Sequence, residues 1–146
     1  MWGQHLELFL TIKTKGIKMS KMLIVDDDNL TIKLIRRIFR NDFEILFCDS
    51  VEEYYEKYSN SNFDVIIMDI SLKGNMNGLD LIKEIKTSPS YTGTPILCLT
   101  AHAQTKVRET ALESGADLFI TKPVSIKVLR EAVEFLLKSK IVGNKI

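Results

Sequence analysis

Three aspartates follow directly on short apolar runs of this 146-residue chain, where they could act together. Asp26 and Asp27 come after residues 22–25, and Asp69 comes after residues 65–68. If both runs are neighbouring parallel strands, the three carboxylates meet at the carboxyl edge of one sheet. Like charges at close range repel one another and destabilise a fold. The spacing therefore predicts a compensating divalent cation, and Lys122, after a third apolar run, offers a further positive charge.

A hard cation such as Mg²⁺ or Mn²⁺ prefers oxygen ligands, usually one or two carboxylates with water and phosphate oxygens completing its shell. We predict that Asp27 and Asp69 supply those carboxylates and that Asp26 holds a metal-bound water. The backbone carbonyl of Ser71, two residues beyond Asp69, is predicted to reach the same ion.

Asp69 is also placed to act as a nucleophile, because a carboxylate can attack phosphorus and carry the group as an acyl phosphate. Such transfer depends mainly on positioning and charge neutralisation. The metal would cover one phosphoryl oxygen and the ammonium of Lys122 a second. The hydroxyl of Thr100, with a nearby backbone N–H, would cover a third.

The elements that must position these residues are short apolar runs alternating with longer segments of helical period. The predicted strands are residues 22–25, 44–48, 65–68, 96–99 and 118–120. Helical segments follow them at residues 30–39, from Ser50, at 79–86, at 105–114 and from near Ser125. Five successive βα units predict an α/β, doubly wound, five-stranded parallel sheet with helices on both faces. We expect the flavodoxin-like order 2-1-3-4-5, in which ligands sit beyond the carboxyl ends of strands one and three.

Composition excludes several classes of function. The 20 basic and 19 acidic residues give a formal charge of +1 without a basic stripe, so we expect no nucleic-acid binding. Cys48 and Cys98 lie far apart in strand-like runs and are predicted to be buried, reduced thiols. No stretch resembles a secretion signal or a membrane span, so we expect a cytoplasmic protein with no membrane contact.

We expect one domain at residues 21–140, with an N-terminal extension at 1–20 and a short tail at 141–146. Alternating apolar residues in the extension favour an added edge strand, whereas Met19, followed by Ser20 and Lys21, would also make a natural chain start.

Each candidate residue also has an ordinary structural interpretation. Acids at 26–28 could simply begin the following helix, where they favour the N-terminal dipole, and we assign Asp28 mainly to capping. Asp69 alone could be a solvated strand end, and Lys122 a surface lysine before a turn. Their joint occurrence at the ends of predicted strands one, three and five favours the functional interpretation.

Taken together, residues 22–137 resemble the receiver domain of two-component response regulators. The resemblance rests on the acid pair in LIVDDDN, the lone acid in DVIIMDISL followed by NGLDL, and the tripeptides TAH and TKP. It implies that Asp69 is the phosphoacceptor, Asp26 and Asp27 the metal acids, and Thr100 the switch hydroxyl. It further implies that Lys122 is the family's lysine and that the bond from Lys122 to Pro123 is its cis peptide.

The resemblance also implies that Phe119 turns inward when the threonine is drawn to the phosphoryl group. Many members carry tyrosine at this position. Phenylalanine lacks the tyrosine hydroxyl and cannot donate its hydrogen bond. Lys73 is a second departure, since many receivers have proline at that position. Ser71 and His102 occupy variable positions beside the phosphoryl group and are expected to tune its lifetime.

We therefore expect a stand-alone receiver, not an enzyme acting on other molecules, that takes its phosphoryl group from a sensor histidine kinase or histidine phosphotransfer protein. Phosphorylation would switch a face made by helix four, strand five and helix five, for a downstream protein or for homodimerisation. The alternatives are a non-phosphorylated adaptor and a Mg²⁺-dependent phosphatase with an aspartyl nucleophile, for which Asp26 and Asp28 have a fitting spacing. A flavin-binding protein would share the fold, but three acids after strand one would repel its phosphate.

Overall fold

The structure is a computed structural model, and it describes residues 19–72, 74, 76–102 and 104–144. The two interpretations of the N-terminal extension, an added edge strand or a later chain start, concern residues outside these ranges, and so does the departure at Lys73. The described strands are β1 (Ser20–Val25), β2 (Phe43–Cys48), β3 (Val65–Met68), β4 (Ile96–Thr100) and β5 (Leu118–Thr121). The described helices are α1 (Asn29–Phe39), α2 (Val51–Lys57), α3 (Gly78–Thr87), α4 (Thr105–Ser114) and α5 (Ile126–Asn144).

The strands form a parallel sheet in the order β2-β1-β3-β4-β5. This confirms the predicted doubly wound fold and its strand order. The last helix continues to Asn144, beyond residue 140, where the domain was predicted to end. No helix among the described residues is long and apolar enough to cross a membrane.

The central strands are buried on both faces, which explains why their sequences are continuously apolar rather than alternating. Successive side chains of β1 point to opposite sides of the sheet. Leu23 and Val25 pack in a core with residues of α2, α3 and α4, whereas Met22 and Ile24 pack in a second core with α1 and α5. The carboxyl edge of the sheet is therefore held between two hydrophobic layers.

Asp28 caps the start of helix α1, which confirms the capping role predicted for it. The Asp28 carboxylate accepts hydrogen bonds from the Leu30 N–H at 3.0 Å and the Thr31 hydroxyl at 2.8 Å. These bonds satisfy a backbone donor that the first turn leaves unpaired. The cap also turns the chain away from β1 directly after Asp26 and Asp27, so both acids remain at the sheet edge.

Candidate functional site

The register of the two central strands brings the predicted acids together. Val25 pairs with Met68, so the residues that follow them start the loops at the same level of the sheet. The Asp69 N–H donates to the Val25 carbonyl at 2.8 Å, which continues the ladder past the end of β3. Backbone pairing thereby fixes the positions from which the side chains of Asp26 and Asp69 extend.

The carboxylates of Asp26, Asp27 and Asp69 form one cluster. An oxygen from each lies within 4.8 Å of the others. Asp26 is 1% exposed and Asp69 is 6% exposed, whereas Asp27 is partly exposed. This is a set of hard oxygen donors, of the type that Mg²⁺ or Mn²⁺ prefers.

Lys122, in the loop after β5, reaches into this cluster. Its Nζ donates to Asp26 Oδ2 at 3.0 Å and to Asp69 Oδ2 at 3.2 Å. Burial disfavours the charged ammonium, but hydrogen bonds and attraction from Asp26 and Asp69 outweigh it and raise the pKa of Lys122. The lysine therefore remains a cation in contact with both acids at neutral pH.

Burial also acts on Asp26. It raises the pKa of that carboxyl, although the Asp28 N–H and the Lys122 ammonium favour the charged form. Repulsion from Asp69 adds to the rise. Asp26 is therefore an acid whose charge depends on nearby positive groups.

Asp69 has both carboxylate oxygens engaged. Oδ1 accepts a hydrogen bond from the Ser71 N–H at 3.0 Å, and Oδ2 accepts the one from Lys122. Each oxygen of a carboxylate has two lone pairs, so one hydrogen bond per oxygen leaves capacity for a further partner. These hydrogen bonds orient the Asp69 side chain and leave its oxygens able to accept further partners.

Thr100 ends β4 and is fully buried, and its hydroxyl oxygen lies 3.4 Å from the His102 backbone N–H that donates to it. The Lys122 N–H donates to the Thr100 carbonyl at 2.8 Å, so the loop bearing the lysine is tied to the end of β4. The Lys122–Pro123 peptide is cis, which is the geometry that the resemblance implied. Strand ends β1, β3, β4 and β5 thus all contribute to one edge.

The remaining candidates lie around this edge. Ser71 and His102 are both exposed in loops that follow Asp69 and Thr100. Phe119 is 8% exposed and belongs to the same hydrophobic core as Cys98 and Ala111. In the strand register Phe119 pairs with Cys98, two residues before Thr100.

Gly78 is a site residue that the sequence analysis did not single out. A Cβ at this position would lie 2.2 Å from the Asp69 carbonyl oxygen and 2.7 Å from the Ile70 Cα. The first residue of α3 must therefore be glycine for the helix to pack against the backbone of Asp69 and Ile70. The sequence signal was the Asn-Gly pair, since Asn77 caps the helix through the Asp80 N–H at 3.0 Å.

A surface cleft of about 430 Å³ lies elsewhere, between the carboxyl ends of α2 and α3 and the loops that follow them. Its lining includes Tyr55, Glu84 and Tyr91 and none of the predicted site residues. The acid cluster at the sheet edge is therefore not part of this cleft.

Comparison with known proteins gives the same picture. Residues 22–134 match the family model of the response regulator receiver domain. The chain is 32% identical over 124 residues to the chemotaxis protein CheY1 of Helicobacter pylori, covering 80% of this chain and 96% of that protein. It is 30% identical over 119 residues to the regulatory protein VanRB of Enterococcus faecalis, covering 81% of this chain. The chain spans about half of that relative's length, 52%.

Solved structures agree. A CheY-like response regulator receiver domain protein from Methanospirillum hungatei superposes with a TM-score of 0.77 at 26% sequence identity. The match covers 86% of this chain and 99% of that one. Because the family model spans most of the chain and these relatives are response regulators of the same fold, the chain belongs to the response regulator receiver domain family of two-component signalling.

Proposed function

We propose that this protein is a phosphorylation-driven switch in which Asp69 accepts a phosphoryl group, with Mg²⁺, from a sensor histidine kinase or histidine phosphotransfer protein. The observation that carries the proposal is the position of Asp69 beside a lysine ammonium and two further carboxylates. It lies at the end of β3, 3.2 Å from the Lys122 ammonium, and its carboxylate lies within 4.8 Å of those of Asp26 and Asp27. Receiver domains as a family interact with histidine kinases or phosphotransfer proteins and with downstream effectors.

The donor set fits a hard divalent cation, because among the described residues three carboxylates cluster with one lysine, Lys122. We assign direct ligation to Asp27, Asp69 and the Ser71 carbonyl, and a water-mediated contact to Asp26. When bound, Mg²⁺ would supply positive charge that offsets the carboxylates and the incoming phosphoryl oxygens. Mn²⁺ has the same oxygen preference and is expected to substitute.

Asp69 performs the covalent step. One of its carboxylate oxygens forms a bond to phosphorus while the bond from phosphorus to the donor's histidine nitrogen breaks. That nitrogen keeps the electron pair of the broken bond. Lys122 holds positive charge beside the Asp69 carboxylate, where a phosphoryl oxygen would arrive, and the Ser71 N–H fixes the carboxylate's orientation. The return step is hydrolysis of the acyl phosphate, so the protein processes only its own phosphoryl group.

Thr100 and Phe119 couple the site to the protein surface in this proposal. Thr100 is buried at the end of β4, and Phe119 lies on the neighbouring strand in register with Cys98. Movement of the Thr100 hydroxyl towards the phosphoryl group would favour the buried orientation of the Phe119 ring. Phosphorylation would thus bias an equilibrium between two forms of the face made by α4, β5 and α5.

That face is the surface we assign to the downstream protein and to homodimerisation. Its two helices carry exposed apolar side chains, namely Leu112 on α4 and Val128 and Phe135 on α5. Burying apolar side chains against a partner is favourable, because it removes their surface from water. Ser71 and His102 are assigned to tuning of the phosphoryl lifetime, and an unchanged rate of autodephosphorylation in His102→Ala would exclude the histidine from that role.

The phosphatase alternative depends on Asp28, whose spacing from Asp26 fits that class. Asp28 instead caps α1 with both of its carboxylate oxygens and is not among the three clustered acids. Its engagement in the cap supports the receiver over the phosphatase. The adaptor alternative requires that Asp69 remain unphosphorylated, and it is separated by experiment.

The proposal is tested by intact-mass spectrometry after incubation with acetyl phosphate. We expect one phosphoryl adduct in Mg²⁺, none in excess chelator, and none in Asp69→Asn. Asp80→Asn is the matched control, because Asp80 is an exposed acid in the first turn of α3. No adduct in the native chain, from acetyl phosphate or from a phosphorylated histidine donor, would favour the adaptor.

A further inference from the structure

Helix α4 buries few of its side chains. Of its ten residues, all of which the structure describes, only Ala111 is buried. Its N-cap residue, Gln104, makes no side-chain capping hydrogen bond, and Val107 is only partly buried. A helix that buries so little of its side-chain surface has small free-energy differences between its positions, so one added contact changes its equilibrium measurably.

Arg108 supplies such a contact. Its guanidinium carbon lies 5.9 Å from the centroid of the Phe119 ring on β5. Arg108 is exposed and Phe119 is 8% exposed, so the guanidinium covers the outer side of the ring. A cation over an aromatic face is attracted to it within about 6 Å. Phenylalanine has no hydroxyl to hydrogen-bond, so among the described residues its ring is held by core packing and by this contact.

We propose that Arg108 is a positioning residue of the switch, whose guanidinium holds the Phe119 ring in its buried orientation and so strengthens binding of a phosphoryl group at Asp69. This inference rests on the proposed function, in which phosphorylation favours the buried ring. In this structure the contact is made with the ring buried, so it favours that form over one in which the ring turns outward, before any phosphorylation. By linkage, less of the binding free energy of the phosphoryl group is then needed to bury the Phe119 ring, so the group binds more tightly.

The size of the effect follows from the contact. Cation–π attraction at an exposed site corresponds to about a two- to fivefold change in an equilibrium constant. We expect Arg108→Gln to weaken binding of beryllofluoride, a phosphoryl mimic, in Mg²⁺ by this factor in a calorimetric titration. Arg108→Lys keeps a cation and should recover part of the affinity. Lys106→Gln removes the same charge from an exposed position of the same helix and should leave the affinity unchanged.

A double-mutant cycle separates positioning from a general loss of structure. In a Phe119→Leu background there is no ring to contact, so Arg108→Gln should have no further effect on beryllofluoride affinity. Phe119→Tyr keeps the ring and should keep the sensitivity to Arg108→Gln. Urea unfolding of each variant measures stability separately, and the proposal expects the affinity loss in Arg108→Gln without a matching loss of stability.

Several outcomes overturn the inference. Equal affinity in the native chain and Arg108→Gln would do so, as would an equal loss in the Phe119→Leu background or in Lys106→Gln. In those cases the native chain still binds beryllofluoride, so the proposed function stands. Failure of the native chain to bind it at all would overturn both.

Discussion

Lys122 makes two ion pairs, and both partners belong to the three clustered acids. Asp26 and Asp69 are buried, so without the ammonium two negative charges would lie close together away from water. Removing one partner of such a pair leaves an uncompensated charge, which is costly. In the proposed mechanism, the same ammonium lies where an incoming phosphoryl oxygen needs positive charge. One residue thus serves both the folded state and the proposed chemistry.

Lys122→Met keeps the apolar stem and removes the charge. We expect phosphorylation of Asp69 by acetyl phosphate to slow by about 10²–10³-fold, the usual effect of deleting one preorganised charge-stabilising donor. The initial rate, followed by intact mass, is the measurement. Lys127→Met, at an exposed position of α5, is the matched control. Equal initial rates in Lys122→Met and the native chain would remove the lysine from the mechanism.

Gly78 shows a requirement for space rather than for an unusual backbone angle. A Cβ added at this position would overlap the Asp69 carbonyl. That carbonyl cannot move without displacing the Asp69 side chain. We expect Gly78→Ala to lower the free energy of unfolding by about 1–3 kcal/mol, as overpacking does. It should also slow phosphorylation, because the acceptor carboxylate shifts relative to Lys122.

Gly93→Ala is the comparison for that prediction. Gly93 has open space around it but a φ of +91°, so alanine there is strained without touching the site. We expect a stability loss of about 1–2 kcal/mol from the left-handed conformation and an unchanged phosphorylation rate. Urea unfolding and intact-mass rates measure the two effects. A rate loss of the same size in both variants would mean that stability alone, not the position of Asp69, controls the rate.

Among the secondary-structure elements, the apolar parts of the strands were easier to predict from the sequence than the polar residues that extend them. The apolar runs gave β3 with its observed bounds, whereas β1 begins at Ser20 and β5 ends at Thr121, outside the predicted runs. Those residues join the ladder through backbone pairing, as Ser20 does with Phe43 and Thr121 with Thr100, and hydrophobic patterning does not report such pairing. The stop of α4 at Gly115 was predictable, because its φ of +118° needs glycine.

A separate ion pair, between Lys86 and Asp117, connects α3 to the loops before β4 and β5 at the amino end of the sheet. Lys86 on α3 donates to Asp117 at 2.9 Å and to the Tyr91 phenol at 2.8 Å, and Asp117 also accepts from the Ile96 N–H at 2.8 Å. Burial opposes the charged lysine, but its hydrogen bonds with Asp117 and Tyr91 outweigh burial and raise the pKa of Lys86. The folded state therefore binds this proton more tightly than the unfolded chain.

The raised pKa of Lys86 sets the sign with which its contribution to folding stability depends on pH. A lysine whose pKa is raised by folding adds stability below its unfolded pKa, about 10.4, and loses that contribution as pH rises through the folded pKa. We expect Lys86→Met to be less stable than the native chain at neutral pH, with the difference shrinking at strongly alkaline pH. Unfolding by urea across the pH range is the measurement, with Lys83→Met on the same helix as control. A stability difference that stays constant or grows above that pH would contradict the assignment.

At the scale of the whole molecule, the fold followed from the order of its elements. Five βα units and continuous apolar strands leave few arrangements, and the observed order places Asp26, Asp27 and Asp69 at one edge. The convergence was predictable because strand ends in a parallel sheet are fixed by topology. Contacts between side chains distant in sequence were not predictable, because they depend on how the helices pack. Gly78 against Asp69 and Arg108 over Phe119 are of this kind.

The central claim is that Asp69 itself carries the phosphoryl group, and the most direct test is to locate the acyl phosphate in the sequence. Borohydride reduction of the phosphorylated chain converts the modified aspartate to homoserine, and trypsin then releases residues 58–73, which contain Asp64 and Asp69. Asp64 is an internal control, since its carboxylate accepts from the Lys21 N–H at the amino end of the sheet. The account predicts homoserine at position 69 only, formed only when Mg²⁺ was present. Homoserine at position 64, at any other acid, or at none would contradict it.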